Sequence, residues 1–367
     1  MEIDKEKEKE TGRDVPVRVG ISIGDINGIG PEVIIKALSD HRLFLDCTPI
    51  VYASNKILAY HKKLLDNKDF AYQSCKSADE AQNKRVNVVT ISDEDVQFEL
   101  GKATANGGKF AFLSLEAATQ DLAAGKIDVL VTAPISKEAM AMSGFKFPGH
   151  TEYLANLAGE SEALMMMVSE DLRVALVTSH IALKDVSAAI TKEKVAEKIM
   201  QLDKSLRKDF CIQRPKIAVL GLNPHAGENG KMGTEEAEQI IPGIKQAYAN
   251  GCLAFGPYPA DGFFGSSVHH QFDAILAMYH DQGLTAFKTL AFDNGVNFTA
   301  GLPIVRTSPD HGTAFDIVGQ NKASEQSLRS AIYLAMDIYK NNKLHKEIFA
   351  NPLPFSPPEK RKDRRDD

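Results

Sequence analysis

Three histidines stand at the ends of short apolar runs: His180 closes VALVTSH, His225 closes AVLGLNPH and His280 closes ILAMYH. Each run is rich in Val, Ile, Leu, Ala and Met and reads as a buried strand. Segments with polar or glycine residues follow each one: Ile181-Ala182-Leu183-Lys184-Asp185, Ala226-Gly227-Glu228 and Asp281-Gln282-Gly283. Open α/β sheets bind ligands beyond the carboxyl ends of their strands. Three imidazoles delivered to such an edge are one short of a tetrahedral zinc shell, which leaves a position for substrate or water. A single histidine there can equally end a strand with a hydrogen bond. The same placement three times argues for a catalytic divalent metal. Two carboxylates suit its outer shell or a proton relay: Asp281, next to His280, and Asp261, in GPYPADGFF. Asp261 also fits a plain turn after Pro-Ala.

Cationic and amide residues downstream are spaced as if around one anion. Lys288 lies in GLTAFK, Asn297 follows it, and Arg306 closes the apolar run LPIVR before the donor-rich turn Thr307-Ser308-Pro309-Asp310-His311-Gly312-Thr313. A guanidinium fork ending a buried strand suits bidentate binding of an oxyanion. Upstream, Gly149-His150-Thr151-Glu152 opens a helix-like segment. Thr151 fits a helix N-cap, and His150 just before the helix start can donate to a phosphate or carboxylate. Gly24-Asp25-Ile26-Asn27-Gly28-Ile29-Gly30-Pro31 joins a strand to a helix. Its spacing is not GxGxxG and it has no Walker lysine, so it is neither a Rossmann fingerprint nor a P-loop. Two readings of it stay open: a structural βα turn, and a helix start whose exposed N–H groups meet an anion.

The elements that must position these groups alternate strand and helix from about Pro16 to Asn342. VRVGISIG, PIVYAS, VNVVTIS and DVLVTAP read as strands; PEVIIKALSDHRLF, NKILAYHKKLL and KFAFLSLEAATQDLAAG read as helices between them. ALMMMVSE and LRVALVTSH are separated only by Asp171, so a hairpin is expected and with it a mixed sheet. TEEAEQIIPGIKQAYANG reads as a helix kinked at Pro242. FTAGLPIVRTSP reads as a strand, and EQSLRSAIYLAMDIYKN as the closing helix. This pattern predicts two α/β lobes around a cleft. No Gly/Ser linker separates them, so a shared continuous sheet or crossing strands are expected.

Bulk composition narrows the class. A chain of 367 residues exceeds the size at which a single core keeps growing. A net charge of -6 argues against a nucleic-acid protein, which needs a clustered basic face. Cys47, Cys75, Cys211 and Cys252 are scattered and form no CxxC pair, which suits reduced thiols in a cytoplasmic protein. MEIDKEKEKETGRD has no apolar core of a secretory signal, and no apolar stretch is long enough to span a membrane. The closing EKRKDRRDD reads as a solvated tail.

The long motifs GLNPHAGE with GKMGTEE, AMYHDQGL with Lys288, GLPIVRTSPDHGTA and FPGHTE closely resemble the 4-hydroxythreonine-4-phosphate dehydrogenase family of pyridoxal phosphate biosynthesis, over about Val17 to Asn342. The resemblance implies an isocitrate/isopropylmalate dehydrogenase-like fold of two α/β/α lobes with a mixed sheet around a central cleft. One lobe would comprise 1–137 and 308–367 with the charged tails, the other 138–307 with the metal, most substrate residues and the dimerisation surface. It implies NAD or NADP, one divalent metal (zinc, magnesium or cobalt), and a homodimer with shared active sites. Its metal ligands fall on His180, His225 and His280, its substrate contacts on His150, Thr151, Lys288, Asn297 and Arg306. The implied reaction oxidises 4-phosphooxy-L-threonine; a sibling group acts on phosphorylated sugar acids such as 4-phospho-D-threonate. Ile26-Asn27 replaces the family's usual Pro-Ala in the first turn, so the turn is expected to survive on its glycines and Pro31 while its tip differs from the family's.

Overall fold

The computed structural model describes residues 15–147, 149–159 and 163–351. The two charged ends read above as a non-signal leader and a solvated tail lie outside the described residues, as does Pro148 of the FPGHT loop. The chain builds β1 (Val17–Ser22), α1 (Gly30–Leu38), β2 (Cys47–Ala53), α2 (Asn55–Leu64), β3 (Tyr72–Cys75), β4 (Val86–Thr90), α3 (Ala105–Ala123), β5 (Val129–Thr132), α4 (Lys137–Met142) and α5 (His150–Leu157). There follow β6 (Leu164–Val168), β7 (Arg173–Leu176), α6 (Leu183–Ala189), α7 (Lys192–Asp209), β8 (Lys216–Leu220), α8 (Ile241–Ala249), β9 (Leu253–Tyr258) and α9 (Ala260–Phe264). The last elements are β10 (Ala274–Ala277), α10 (His280–Leu290), β11 (Val296–Ala300), β12 (Arg306–Pro309) and α11 (Gln326–Phe349).

All twelve strands join one sheet in the order β3-β4-β2-β1-β5-β12-β11-β6-β7-β10-β8-β9. The outer thirds are parallel, as β/α/β crossovers require. The middle is antiparallel at β12/β11, β11/β6 and β6/β7. The hairpin expected around Asp171 is present, and it reverses the chain direction at the centre of the sheet. Strands β2 and β5 are buried along their whole length, which is why their sequences run apolar without alternating.

Helices α1, α7 and α11 pack on one face over a single continuous core: Val33 and Ile34 from α1, Ile199, Leu202 and Leu206 from α7, and Leu328, Ile332 and Ala335 from α11. The opposite face carries two separate clusters, one under α3 and α5 with Leu115, Ala118, Tyr153 and Leu154, the other under α10 with Leu284 and Phe287. Each fully buried side chain of this size contributes about 1.5–3 kcal/mol.

Three local expectations are revised. Arg306 opens β12 instead of ending a strand, because Gly301 through Val305 turn the chain back and split FTAGLPIVRTSP into antiparallel partners. Gly149, and not Thr151, holds the N-cap position of α5, with no side-chain cap. Pro242 does not kink a single helix. A widened turn over Glu236–Ile240 precedes α8, and the Ile241 N–H reaches back five residues to the Glu236 carbonyl. Proline has no N–H to sustain the regular ladder there.

The Gly-rich turn after β1 is a structural turn. The N–H groups of Asp25, Asn27, Gly28 and Ile29 are committed to the Pro134 carbonyl, Asp25 Oδ1, the Asp25 carbonyl and the Thr313 carbonyl, which leaves none of the four for an anion. Its tip makes firm contacts: buried Asn27 donates to Thr104 Oγ1 (3.0 Å) and accepts from the Glu99 N–H (2.9 Å). A Cβ at Gly28 would lie 2.9 Å from the Thr313 carbonyl oxygen, so glycine is required where the turn meets the 311–314 loop.

Asp25 is buried in this turn, and its Oδ2 has no partner. Desolvation pushes its carboxyl up to about 6, against a smaller lowering by the Asn27 N–H. The folded protein therefore holds a proton that the unfolded chain has released, so stability falls as pH rises from about 4 to about 6. Asp25→Asn should flatten this slope and leave the variant more stable than the parent at pH 8, by up to about 3 kcal/mol at 1.36 kcal/mol per unit. Urea unfolding of both proteins at pH 5 and pH 8 measures it; parallel profiles would contradict the assignment.

Candidate functional site

Strands β7, β10 and β8 are parallel neighbours in the sheet, so their carboxyl ends emerge at one edge. His180 follows β7, His280 is the first residue of α10 after β10, and His225 follows β8. The shared edge expected from the sequence is therefore real. The imidazoles of His180 and His280 lie side by side, with ring centroids 5.8 Å apart. His225 occupies a neighbouring pocket with Asp261 and Gln282, and Tyr279 lines both that pocket and the one holding His180 and His280. Among the described residues no group of three His, Cys, Asp or Glu side chains converges as a metal site. The chemistry of the donors fits a divalent cation: two adjacent, partly exposed imidazoles with a third one pocket away.

The two carboxylates read from the sequence fall in different settings. Asp281 Oδ1 lies 2.7 Å from His280 Nδ1, the kind of pairing that fixes an imidazole's orientation and leaves Nε2 uncommitted to that carboxylate. Asp261, in the first turn of α9, lines the pocket of His225.

His225 sits in unusual backbone. Five consecutive residues, His225 to Asn229, have positive φ between 41° and 78°, and only Gly227 among them is glycine. Left-handed conformation costs roughly 1–2 kcal/mol for each residue with a Cβ. Surrounding structure must hold such a segment in place.

The cation site lies across the antiparallel centre. Strand β12 runs opposite to β7, so Arg306 at its start shares the edge where His180 emerges. Its side chain is buried, with 3% exposure. Nε and Nη2 donate to Thr132 Oγ1 (3.1 and 2.6 Å), Nη1 donates to Thr299 Oγ1 (3.2 Å), and Nη2 lies 3.3 Å from His150 Nδ1. Every one of these partners is neutral. Burial lowers the guanidinium to about 10, offset in part by the charge of Glu152, so it remains a cation at neutral pH. His150 is pushed well below its ordinary value by burial and then by Arg306, and is neutral. A buried cation hydrogen-bonded to neutral acceptors, its charge balanced only in part by Glu152, favours an anion nearby.

The first turn of α5 links this cation to the histidine edge. His150 touches Arg306, and two residues on Glu152 Oε1 lies 3.8 Å from His180 Nδ1. The His180 contact holds the Glu152 carboxyl below its usual range, against desolvation. Thr151, Glu152, Thr178 and His180 line a common cleft of about 550 Å³, a volume suited to a small ligand. His150 Nε2 and Asn297 Oδ1 are buried without partners, so each retains hydrogen-bonding capacity for something else.

Lys288 is not brought to the Arg306 cluster. It lies in the last turn of α10 and forms an ion pair with Asp310 (3.2 Å), just beyond the far end of β12. The sequence reading did not assign Thr132, Thr299 or Glu152. Glu152 stands inside the FPGHTE motif and was within reach; the two threonines belong to strands brought together only by sheet order.

The fold and edge define an α/β protein with a polar site crossing the middle of one mixed sheet. The profile of the family described as pyridoxal phosphate biosynthetic protein PdxA matches residues 45–335. A Bacteroides thetaiotaomicron protein named 4-hydroxythreonine-4-phosphate dehydrogenase is 49% identical over 348 residues, 95% of each chain. A Cupriavidus necator protein named D-threonate 4-phosphate dehydrogenase is 41% identical over 317 residues, 86% of this chain and 95% of that one. The crystal structure of a 4-hydroxythreonine-4-phosphate dehydrogenase from Klebsiella pneumoniae superposes with a TM-score of 0.76 at 35% identity, covering 89% of this chain and 99% of that one. The chain belongs to the PdxA family.

Proposed function

We propose that this protein is an NAD(P)- and divalent-metal-dependent dehydrogenase. It oxidises 4-phosphooxy-L-threonine to 2-amino-3-oxo-4-phosphooxybutanoate, which loses carbon dioxide to give 3-amino-2-oxopropyl phosphate. The observation that carries this reading is the buried Arg306 with only neutral partners, joined through one helical turn to the paired histidines. The missing anion arrives with the substrate, and the oxidisable alcohol of the same small molecule then falls near the histidine edge. Family membership and the names of its relatives support the same reaction.

Each group of the chain has a task. Arg306 and Thr151 bind an anionic end of the substrate; neutral His150, whose Nδ1 accepts from Arg306, carries its proton on Nε2 and donates from there. Asn297 Oδ1 accepts from a substrate N–H or O–H, while Lys288, ion-paired with Asp310 beyond the far end of β12, takes no part at the Arg306 anion. His180, His280 and His225 would hold the metal, with Asp281 fixing the ring of His280. Asp261 or Asp281 takes the alcohol proton. A bound divalent cation would supply Lewis acidity at the alcohol oxygen, and a bound nicotinamide would supply the redox chemistry. Two clefts of about 550 and 500 Å³ meet at His180 and give room for both ligands.

Absorbance of NADH tests the reaction. 4-Phosphooxy-L-threonine should support reduction of NAD or NADP in the presence of zinc, magnesium or cobalt. Turnover of 4-phospho-D-threonate in its place would assign the chain to the sugar-acid branch, and inertness toward both would refute the dehydrogenase reading.

We also propose that the working unit is a homodimer whose subunits share each site. Ile181 and Leu183 are 44% and 73% exposed directly beside His180, an apolar rim on a site whose three histidines do not converge within one chain. Sedimentation at assay concentration should show a dimer, with the large apolar interface of an obligate pair. An active monomer would contradict it.

A further inference from the structure

The strained His225 segment is held by a small set of side chains with no task in the reaction above. Glu236 is buried, at 4% exposure. Its Oε1 accepts from the Leu222 N–H (2.8 Å) and the Asn223 N–H (2.7 Å), and its Oε2 accepts from Asn223 Nδ2 (2.9 Å). These residues lie immediately before Pro224-His225. Gly227 packs on the same carboxylate, since a Cβ there would stand 2.7 Å from Oε2. Asn223 Nδ2 also donates to Glu235 Oε2 (2.8 Å), and Glu235 Oε1 accepts from Ser187 Oγ (2.5 Å). Ser187 belongs to α6, the helix that follows His180. On the other side, Gln282 accepts from the Met278 N–H (2.7 Å) and donates to the Gly221 carbonyl (2.6 Å), which ties the segment around His280 to the end of β8.

The contacts form a continuous chain through all three histidine-bearing arms: α6 to Glu235, Glu235 and Glu236 to Asn223, and the end of β8 to Gln282. We propose that Glu235 and Glu236 are positioning residues that hold the strained His225 segment in place and tie it to the helix following His180. Two adjacent carboxylates serve because the anchor must accept from four donors: two main-chain N–H groups, the Asn223 amide and the Ser187 hydroxyl. The widened turn over Glu236–Ile240 starts at the second of them, and wide turns of this kind recur at functional sites. A glutamine at either position can present only one acceptor oxygen and turns an N–H toward an existing donor.

This inference rests on the reading of His225 as a site residue, and the experiment separates the two. Glu235→Gln, Glu236→Gln and Ser187→Ala are compared with His225→Ala in the metal-supplemented full-length protein, with kcat, KM and Tm measured for each. Cobalt(II) is added to the metal-free proteins, and its visible absorption is followed. Displacing a reacting group by a fraction of an ångström costs about ten- to hundredfold in rate, so kcat should fall by that much in E235Q and E236Q. KM for the substrate should change little, and the cobalt spectrum should shift. S187A should show the same changes, smaller. Ser187 is exposed and Glu235 half-buried, so E235Q and S187A carry the test if E236Q does not fold. Unchanged kcat and an unchanged cobalt spectrum in E235Q and S187A, alongside a dead His225→Ala, would overturn the positioning role alone. Full turnover in His225→Ala would overturn both.

Discussion

Replacing His280 by alanine should abolish turnover while the fold survives. His180 and His280 are partly exposed and contribute nothing to the three apolar clusters, so their removal opens no cavity in the core. Lewis-acid stabilisation of developing charge contributes several kcal/mol, and at 1.36 kcal/mol per decade its loss corresponds to about a thousandfold or more in kcat. The same loss is expected for His180→Ala and His225→Ala, because a three-imidazole site missing one ligand binds its cation weakly. Treatment with a chelator should reproduce the effect in the parent protein, and zinc, magnesium or cobalt should reverse it. Circular dichroism and Tm should stay close to the parent values in all three variants. Wild-type turnover in any of them, or full activity after exhaustive chelation, would refute the metal reading.

The site was legible in sequence where chemistry follows strand direction. A histidine three to five residues past a buried parallel strand must emerge at the carboxyl edge, whatever the sheet order, and His180, His225 and His280 do so. The hairpin at Asp171 was legible for a similar local reason: two apolar runs so close in sequence have room only for a tight reversal. Residues joined across the sheet were not legible. Thr132 reaches Arg306 because β12 inserts beside β5, 174 positions away in sequence, and no periodicity encodes that neighbour. Arg306 itself was placed at the wrong end of a strand, since Gly301 marks a turn as readily as it interrupts a strand. The Glu235–Asn223–Glu236 network escaped because two glutamates opening a helix read as ordinary first-turn acids. Their contacts to the His225 segment depend on left-handed backbone that the sequence announces only at Gly227.

Arg306→Lys should raise KM for the phosphorylated substrate by roughly tenfold to a hundredfold, the equivalent of one charge-assisted interaction of about 1.5–3 kcal/mol. The guanidinium uses Nε and Nη2 on Thr132 and Nη1 on Thr299, which fixes its plane before substrate arrives. An ammonium keeps the charge but has neither the fork nor the reach to satisfy both threonines while leaving an N–H for an oxyanion. A hydrated site would predict no thermal penalty, yet this side chain is buried. Its replacement strands hydroxyls that now accept its hydrogen bonds, at about 1–3 kcal/mol, and Tm should fall by several degrees. The two effects separate by experiment. Saturating substrate should recover most of kcat in R306K, and KM for NAD or NADP should stay near the parent value, because the cation reads only the substrate. If KM for substrate is unchanged and only Tm drops, Arg306 is a structural strut between β5, β12 and β11, and the anion belongs elsewhere.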